Sequence, residues 1–265
     1  MMSPSVTCLL GKSPKPGTIF DLVHDSLIAR KVAVQVLLPH NSRTLGTELW
    51  PENTLVVHRG LNKEMLDQLA QKEVEGWRFC NSPTSSVLAR DRSALMCRLR
   101  NAGLPVPKWQ RLPDWADVIR IGTERSVVVK AADGTVGRGT QVVIAIRNTL
   151  PKAAPFSGPY LVEEYIKNDG LDRKLYVAGS RCFGLIKPWP RNPDVPAQSF
   201  DALPELVGLA MAVGVETGLE IFGVDVLLGA QGPKIVDVNV FPGFRGIDEA
   251  HSAVVHHLLE RLELG

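Results

Sequence analysis

The chain has 265 residues, 45% of them apolar and 22% charged, which is ordinary globular composition with enough apolar mass for a sizeable core. That length accommodates one large domain or two to three small ones. A formal net charge of +2, without a basic run or a basic stripe interleaved with aromatics, argues against a nucleic-acid partner.

The chain opens on an apolar run too short for a signal peptide. Residues 5–11 (SVTCLLG) predict a strand, 18–31 an amphipathic helix, and 32–39 (VAVQVLLP) a second strand followed by a loop rich in proline and asparagine. A third strand is expected at 54–60, a helix at 62–74 and a fourth strand at 77–83. Alternation of this kind predicts a small parallel α/β unit, with 1–86 as the N-terminal, substrate-side domain. One continuous helix is expected over 85–99, stopped by the GLPVP segment at 103–107.

Beyond about residue 106 the pattern becomes β-rich. VPKWQRL, SVVVK, TQVVIAI and PYLVEEYI alternate with glycine- and proline-containing turns, with a short helix near DWADVIR. RKLYVAG and RCFGLIKPW read as a hairpin turning at Gly179 and Ser180. A helix is expected at 202–218, two strands next, and an amphipathic helix at 248–264. No stretch reaches the apolar length of a membrane span. Cys8, Cys80, Cys97 and Cys182 are scattered without metal spacing and read as small apolar residues of a reducing compartment. A cytoplasmic protein without a membrane partner, monomeric or homodimeric, is the expectation.

Three segments carry chemistry. VVVKAADGTVGRGTQVVI at 127–144 is a strand, a glycine-rich loop and a returning strand. Backbone N–H groups at Gly134, Gly137 and Gly139 suit phosphate, with Lys130 as a point charge. It is neither a P-loop nor a dinucleotide fingerprint, because a strand follows the loop; by itself it reads equally as a hairpin with a surface lysine. At 159–177, paired acids, a turn and Asp172 suit a nucleoside, the backbone of Glu164, Tyr165 and Ile166 reading a base edge and Asp172 the ribose; a solvated charged turn fits the same residues. GVDVLL at 223–228 and IVDVNVFPGF at 235–244 read as neighbouring strands. Alternation places Asp237 and Asn239 on one face, and Asp225 sits likewise between two valines. A lone aspartate there is a strand-end cap, whereas three oxygen donors ahead of a Pro-Gly turn suit Mg²⁺.

In this order the three clusters resemble the ATP-grasp superfamily, and most closely the RimK-type carboxylate–amine ligases. NSPTSSVLARDRSAL at 81–95 with AGLPVP at 102–107 is similar to that family's first helical segment, and the likeness covers roughly residues 77–257. It implies an α/β (α+β) ATP-grasp fold of three subdomains: the N-terminal unit, a central lid over 87–165 and a C-terminal sheet over 166–265, with ATP between the last two. It further implies phosphate contacts from Arg92 and Lys130, adenine contacts around Glu164, Tyr165 and Ile166, ribose binding by Asp172, and Mg²⁺ (Mn²⁺ as the other candidate) on Asp225, Asp237 and Asn239. The implied reaction joins a small-molecule carboxylate to an amine through an acyl phosphate, with Arg245 and Lys187 as the candidate catalytic residues.

The chain departs from that pattern at three places. Arg92 stands where lysine is common, Asp237 where glutamate is usual, and the proline-rich 187–199 loop lacks the family's Asn/His/Arg set. The Asp-x-Asn-FPGF version also looks like the inositol polyphosphate kinases. Those need a dense basic pocket, which Arg173, Lys174, Arg181, Lys187, Arg191 and Arg245 would have to build. Trp189, between two prolines, is read either as lining the acceptor pocket or as packing, and His251, His256 and His257 have no good metal spacing on their helix.

Overall fold

A computed structural model describes residues 4–39, 54–133, 142–190, 192 and 194–263. Their strands form three separate sheets. The first is parallel, with order β2-β1-β3-β4, from β1 (Ser5–Leu10), β2 (Ala33–Leu37), β3 (Thr54–Arg59) and β4 (Arg78–Cys80). β1 is buried along almost its whole length, as a parallel strand covered on both faces should be. Val6, Cys8 and Leu10 pack under α1 (Ile19–Ala29), while Leu9 with Val56 of β3 packs under α2 (Lys63–Val74).

The second sheet is antiparallel, order β5-β8-β6-β7, from β5 (Trp109–Leu112), β6 (Val127–Ala131), β7 (Val142–Ala145) and β8 (Tyr160–Glu164). Val127, Val129, Tyr160 and Val162 bury one face against Val118 and Ile121 of α5 (Trp115–Glu124). By alternation Val128, Lys130, Leu161 and Glu163 occupy the other face.

That face lies over the third sheet, order β11-β10-β9-β12-β13, from β9 (Asn168–Ala178), β10 (Arg181–Pro188), β11 (Gln198–Phe200), β12 (Ile221–Gly229) and β13 (Gly232–Val240). Leu175, Val177, Phe222, Val224, Val226 and Val238 form a core with α4 (Arg92–Asn101) and α6 (Pro204–Thr217). Tyr176, Ala178 and Leu185 instead join the core of the N-terminal sheet, α1 and α7 (Ala250–Glu263).

Two local features differ from the sequence expectation. The single helix over 85–99 is two, α3 (Pro83–Arg90) and α4, because the Asp91 side chain accepts the Ala94 N–H at 3.0 Å and caps a new start. Both helices pack with the third sheet, through Ala89, Leu95, Met96 and Leu99. The proline-rich loop also carries β11, which pairs with β10. Among the described residues no helix is long and apolar enough to cross a membrane, and the four cysteines are free.

The N-terminal sheet is joined to the third sheet through Asn81, which is fully buried. Its side chain donates to Ile221 O at 2.7 Å and accepts from the Glu220 and Ile221 N–H groups at 2.6 and 2.7 Å. Its own carbonyl accepts from His58 Nε2 at 3.1 Å, so that nitrogen carries the proton. Burial holds His58 down at about 4, against its hydrogen bond and the charge of Glu73. A folded value below the unfolded 6.5 means that the unfolded chain takes up the proton first, so stability is lost as pH falls from 6.5 towards 4. The stability advantage of wild type over His58→Gln should shrink by about 2 kcal/mol between pH 7 and pH 4.5 in urea titrations. A gap independent of pH would refute the assignment.

Candidate active site

β12 and β13 pair antiparallel, with Asp225 opposite Asp237 and Gly223 opposite Asn239. Because Val224, Val226 and Val238 face the α4/α6 core, Asp225, Asp237 and Asn239 share the opposite face. β9 adds Asp172, Lys174 and Tyr176 to that face, with Lys174 directly opposite Asp225. Beyond Asp225 the register shifts, and Val236 is left without a partner across the pair. Its carbonyl accepts from Lys130 Nζ at 2.6 Å, which ties the second sheet to the third beside Asp237.

The charges are arranged in two linked groups. Lys130, buried, makes a 2.7 Å ion pair with Glu163, also buried. Among the described residues two of its three donors are thereby used, which leaves one for the cleft. Lys174 bridges Asp225 and Asp172, the latter at 3.0 Å. Burial works against its charge, but Asp225 and Asp172 outweigh it and hold Lys174 above its ordinary range. Burial pushes Asp225 up to about 6, with the charges of Asp172 and Asp237 adding and that of Lys174 opposing. Burial likewise raises Glu163, against Lys130.

Arg92 is 3.9 Å from Asp237 and donates to Ala131 O at 2.9 Å, so it holds the lid hairpin against the third sheet. Four buried polar atoms around this cleft have no hydrogen-bond partner among the described residues: Arg92 Nε, Glu163 Oε1, Asp172 Oδ1 and Trp189 Nε1. Buried polar atoms are ordinarily paired, so such a concentration marks a place for a polar ligand. The donors Asp225, Asp237 and Asn239 are hard oxygens, which fits Mg²⁺.

The other expected residues fall as follows. Lys187 lies opposite Asp172 across β9 and β10. The Glu164 N–H donates to Lys108 O and its carboxylate accepts the Lys108 N–H, while the Tyr165 N–H donates to Ser126 O. Both amides are therefore committed within the lid, and the Ile166 N–H is the one without a partner among the described residues. Gly134, Gly137 and Gly139 lie outside the described residues, as does Arg191. Arg245 is exposed just beyond the Phe241–Phe244 turn. Both phenylalanines have left-handed φ (41° and 50°), a strained state for bulky residues, fixed by their burial against Phe20 and Tyr176. Trp189 lines the narrow cleft between the second and third sheets with Lys130, Glu163 and Leu227. Arg173 is paired with Asp169 at 2.6 Å and Arg181 with Glu249 at 2.9 Å. His257 pairs with Glu220 at 2.9 Å, a structural contact that Arg261 shares.

No family model matches the chain. A protein named "Probable alpha-L-glutamate ligase" from Methanococcoides burtonii is 29% identical over 197 residues, covering 69% of this chain and 65% of that protein. One of the same name from Stutzerimonas stutzeri is 28% identical over 196 residues, covering 68% and 65%. The chain thus spans 65% of the length of these curated relatives. Among solved structures, the RimK domain ATP-grasp protein from Sphaerobacter thermophilus superposes with a TM-score of 0.74 at 21% identity, covering 98% of this chain and 100% of that one. The ATP-grasp ligase PsnB, complexed with minimal precursor, Mg and ADP, gives 0.70 at 19% identity over 97% and 98%. The chain has the ATP-grasp fold.

Three further residues line the clefts around the third sheet: Glu163 and Arg59, which the sequence did not single out, and Lys174, which it offered only to a basic pocket. Glu163 was legible from strand phase, since Leu161 and Glu163 alternate away from the α5-facing Tyr160 and Val162. Lys174 shares the phase of Asp172 in β9 by the same rule. Arg59, at the end of β3, lines a cavity of about 350 Å³ together with Lys174, Asp225 and Asn239, and nothing local in its sequence announces it.

Proposed function

We propose that this ATP-grasp chain is an ATP- and Mg²⁺-dependent carboxylate–amine ligase. The observation that carries the reading is the opposition of Lys130 and Glu163 on the lid to Asp225, Asp237 and Asn239 on the third sheet, with unpaired buried polar atoms between them. Lys130, with one donor left, faces the triphosphate. The Ile166 N–H reads the adenine edge, and the unpaired Asp172 oxygen takes a ribose hydroxyl. Mg²⁺, held by Asp225, Asp237 and Asn239, would neutralise charge as the γ-phosphoryl moves.

The substrate carboxylate oxygen attacks the γ-phosphorus and ADP leaves, forming an acyl phosphate. The amine nitrogen then attacks the carbonyl carbon, phosphate leaves, and the ammonium proton is lost as the amide forms. No protein nucleophile is needed; the side chains contribute positioning and preorganised charge, with Arg245 at the developing oxyanion. The likeness to proteins named as glutamate ligases supports an amino acid or small peptide as substrate.

An ADP-release screen over carboxylate–amine pairs, with product masses, tests the reading. ADP release that requires the amine, and a product equal to acid plus amine minus water, are expected. A product heavier by one phosphoryl group on a polyol would replace the ligase with a kinase.

A further inference from the structure

A second group of metal-competent side chains shares no residue with the cleft between the second and third sheets. Cys80 ends β4, Glu220 stands one residue ahead of β12, and His257 lies in α7. One ligand atom from each, a thiol sulfur, a carboxylate oxygen and an imidazole nitrogen, lies within 4.8 Å of the other two. Ligands drawn from three distant elements leave no spacing motif, so the cysteines and the α7 histidines, read singly, carry no metal signal.

The surrounding structure holds all three in place. Asn81, next to Cys80, accepts the Glu220 N–H at 2.6 Å, and the Glu220 carbonyl accepts the Gly179 N–H at 2.9 Å. Gly179, in the turn after β9, lies against the imidazole: a Cβ there would stand 2.5 Å from His257 Nδ1. His257 Nε2 donates to Glu220 Oε2 at 2.9 Å, since a carboxylate only accepts. Glu260 stands 3.6 Å from Nδ1. A carboxylate behind the second ring nitrogen is the common support of a metal-bound histidine. Arg261 comes within 3.3 Å of Glu220 Oε2, but its buried Nε makes no hydrogen bond. Every polar contact of the Glu220 side chain among the described residues falls on Oε2, which leaves Oε1 for a further cation.

We propose that Cys80, Glu220 and His257 form a Zn²⁺ site that joins the N-terminal sheet, the third sheet and α7. Thiolate, imidazole and carboxylate are the ligands of tetrahedral zinc, whereas Mg²⁺ takes oxygen. Zinc bonds of about 2.0–2.3 Å set tetrahedral ligand atoms about 3.3–3.6 Å apart, so side-chain shifts of about 1 Å complete the site. Burial holds the Cys80 thiol protonated, above its ordinary range, until the ion displaces the proton to solvent. The imidazole proton moves from Nε2 to Nδ1, where it faces Glu260, and Nε2 takes the ion. Thiolate and carboxylate then balance the two charges of zinc, and Arg261 meets a neutral centre. Glu220 and His257 also line a cavity of about 510 Å³, which gives the metal a way in and a water the fourth position. None of this rests on the ligase reading.

The test uses the chain stripped with a chelator, with Co²⁺ as the spectroscopic probe and Zn²⁺ as its competitor. A thiolate-to-cobalt absorption band is expected, saturating at a single equivalent, displaced by Zn²⁺ and indifferent to excess Mg²⁺. Zn²⁺ should raise the melting temperature of the wild type. Cys80→Ala should abolish the band, and His257→Ala and Glu220→Gln should each weaken Zn²⁺ binding by about tenfold or more. Glu220→Gln keeps the shape of a side chain that is 25% exposed, so it reads the site even if Cys80→Ala folds poorly. Asp237→Ala should retain the band, which separates this site from the oxygen donors of β12 and β13. A band that survives in Cys80→Ala would place the ion on another thiol and overturn the site. So would the absence of a band in wild type, or equal stabilisation of wild type and Glu220→Gln by Zn²⁺.

Discussion

If Asp225, Asp237 and Asn239 hold Mg²⁺ as proposed, Asp237→Ala should lower amine-dependent ADP release by about 10³-fold, because it deletes one of three oxygen donors and the charge stabilisation they would hold in place. A bound metal contributes several kcal/mol to such a transfer, and about 4 kcal/mol corresponds to that factor. The side chain is not in the core: it lies on the cleft face, 21% exposed, 3.9 Å from Arg92 and accepting the Val238 N–H at 3.1 Å. Alanine leaves the buried Arg92 guanidinium short of a counter-charge, so some loss of stability is expected with it. Asp237→Asn keeps the shape and separates the two effects: it should melt near wild type and still lose most of the turnover. Retention of more than about a tenth of wild-type turnover by both variants would remove Asp237 from the site.

What could be read in advance follows from how local each cause is. β1, α1, β3 and α2 are legible because their apolar residues repeat at the period of the element they form, and the β12/β13 pair because its valines alternate with Asp225, Asp237 and Asn239. The break at Asp91 is harder, since apolar periodicity runs across it and the cap is one carboxylate in a charged stretch. Glu163 and Glu164 are adjacent and chemically alike. Strand phase alone decides that Glu163 meets Lys130 in the cleft while Glu164 turns to the Lys108 amide. Arg173 looks like part of a basic pocket until the turn at Gly170 brings Asp169 back to it, four residues away. Arg59 shares a cavity with Asp225 and Asn239 only because the N-terminal and third sheets close on it, and a contact of that separation leaves no local periodicity to read.

Lys174→Met should be the most damaging single change to the metal-free protein. Lys174 is the only cation bridging Asp225 and Asp172 among the described residues, and all three side chains are less than a fifth exposed. Removing one member of a buried ionic group leaves uncompensated charge, with losses of about 3–5 kcal/mol in comparable sites. Asp225, already pushed up to about 6 by burial, would rise further. A carboxylate with a raised folded value contributes stability that is complete below its unfolded value and is lost as pH rises through the folded one. The variant should therefore melt lowest at neutral pH and recover on moderate acidification. Mg²⁺ should also rescue it, since a divalent cation at Asp225 restores the missing positive charge, and binding to the folded state alone raises stability with concentration. The Mg²⁺-dependent rise in melting temperature should then be larger in Lys174→Met than in wild type. Equal melting temperatures for the two proteins at neutral pH without Mg²⁺ would show that Lys174 does not balance the acidic pair.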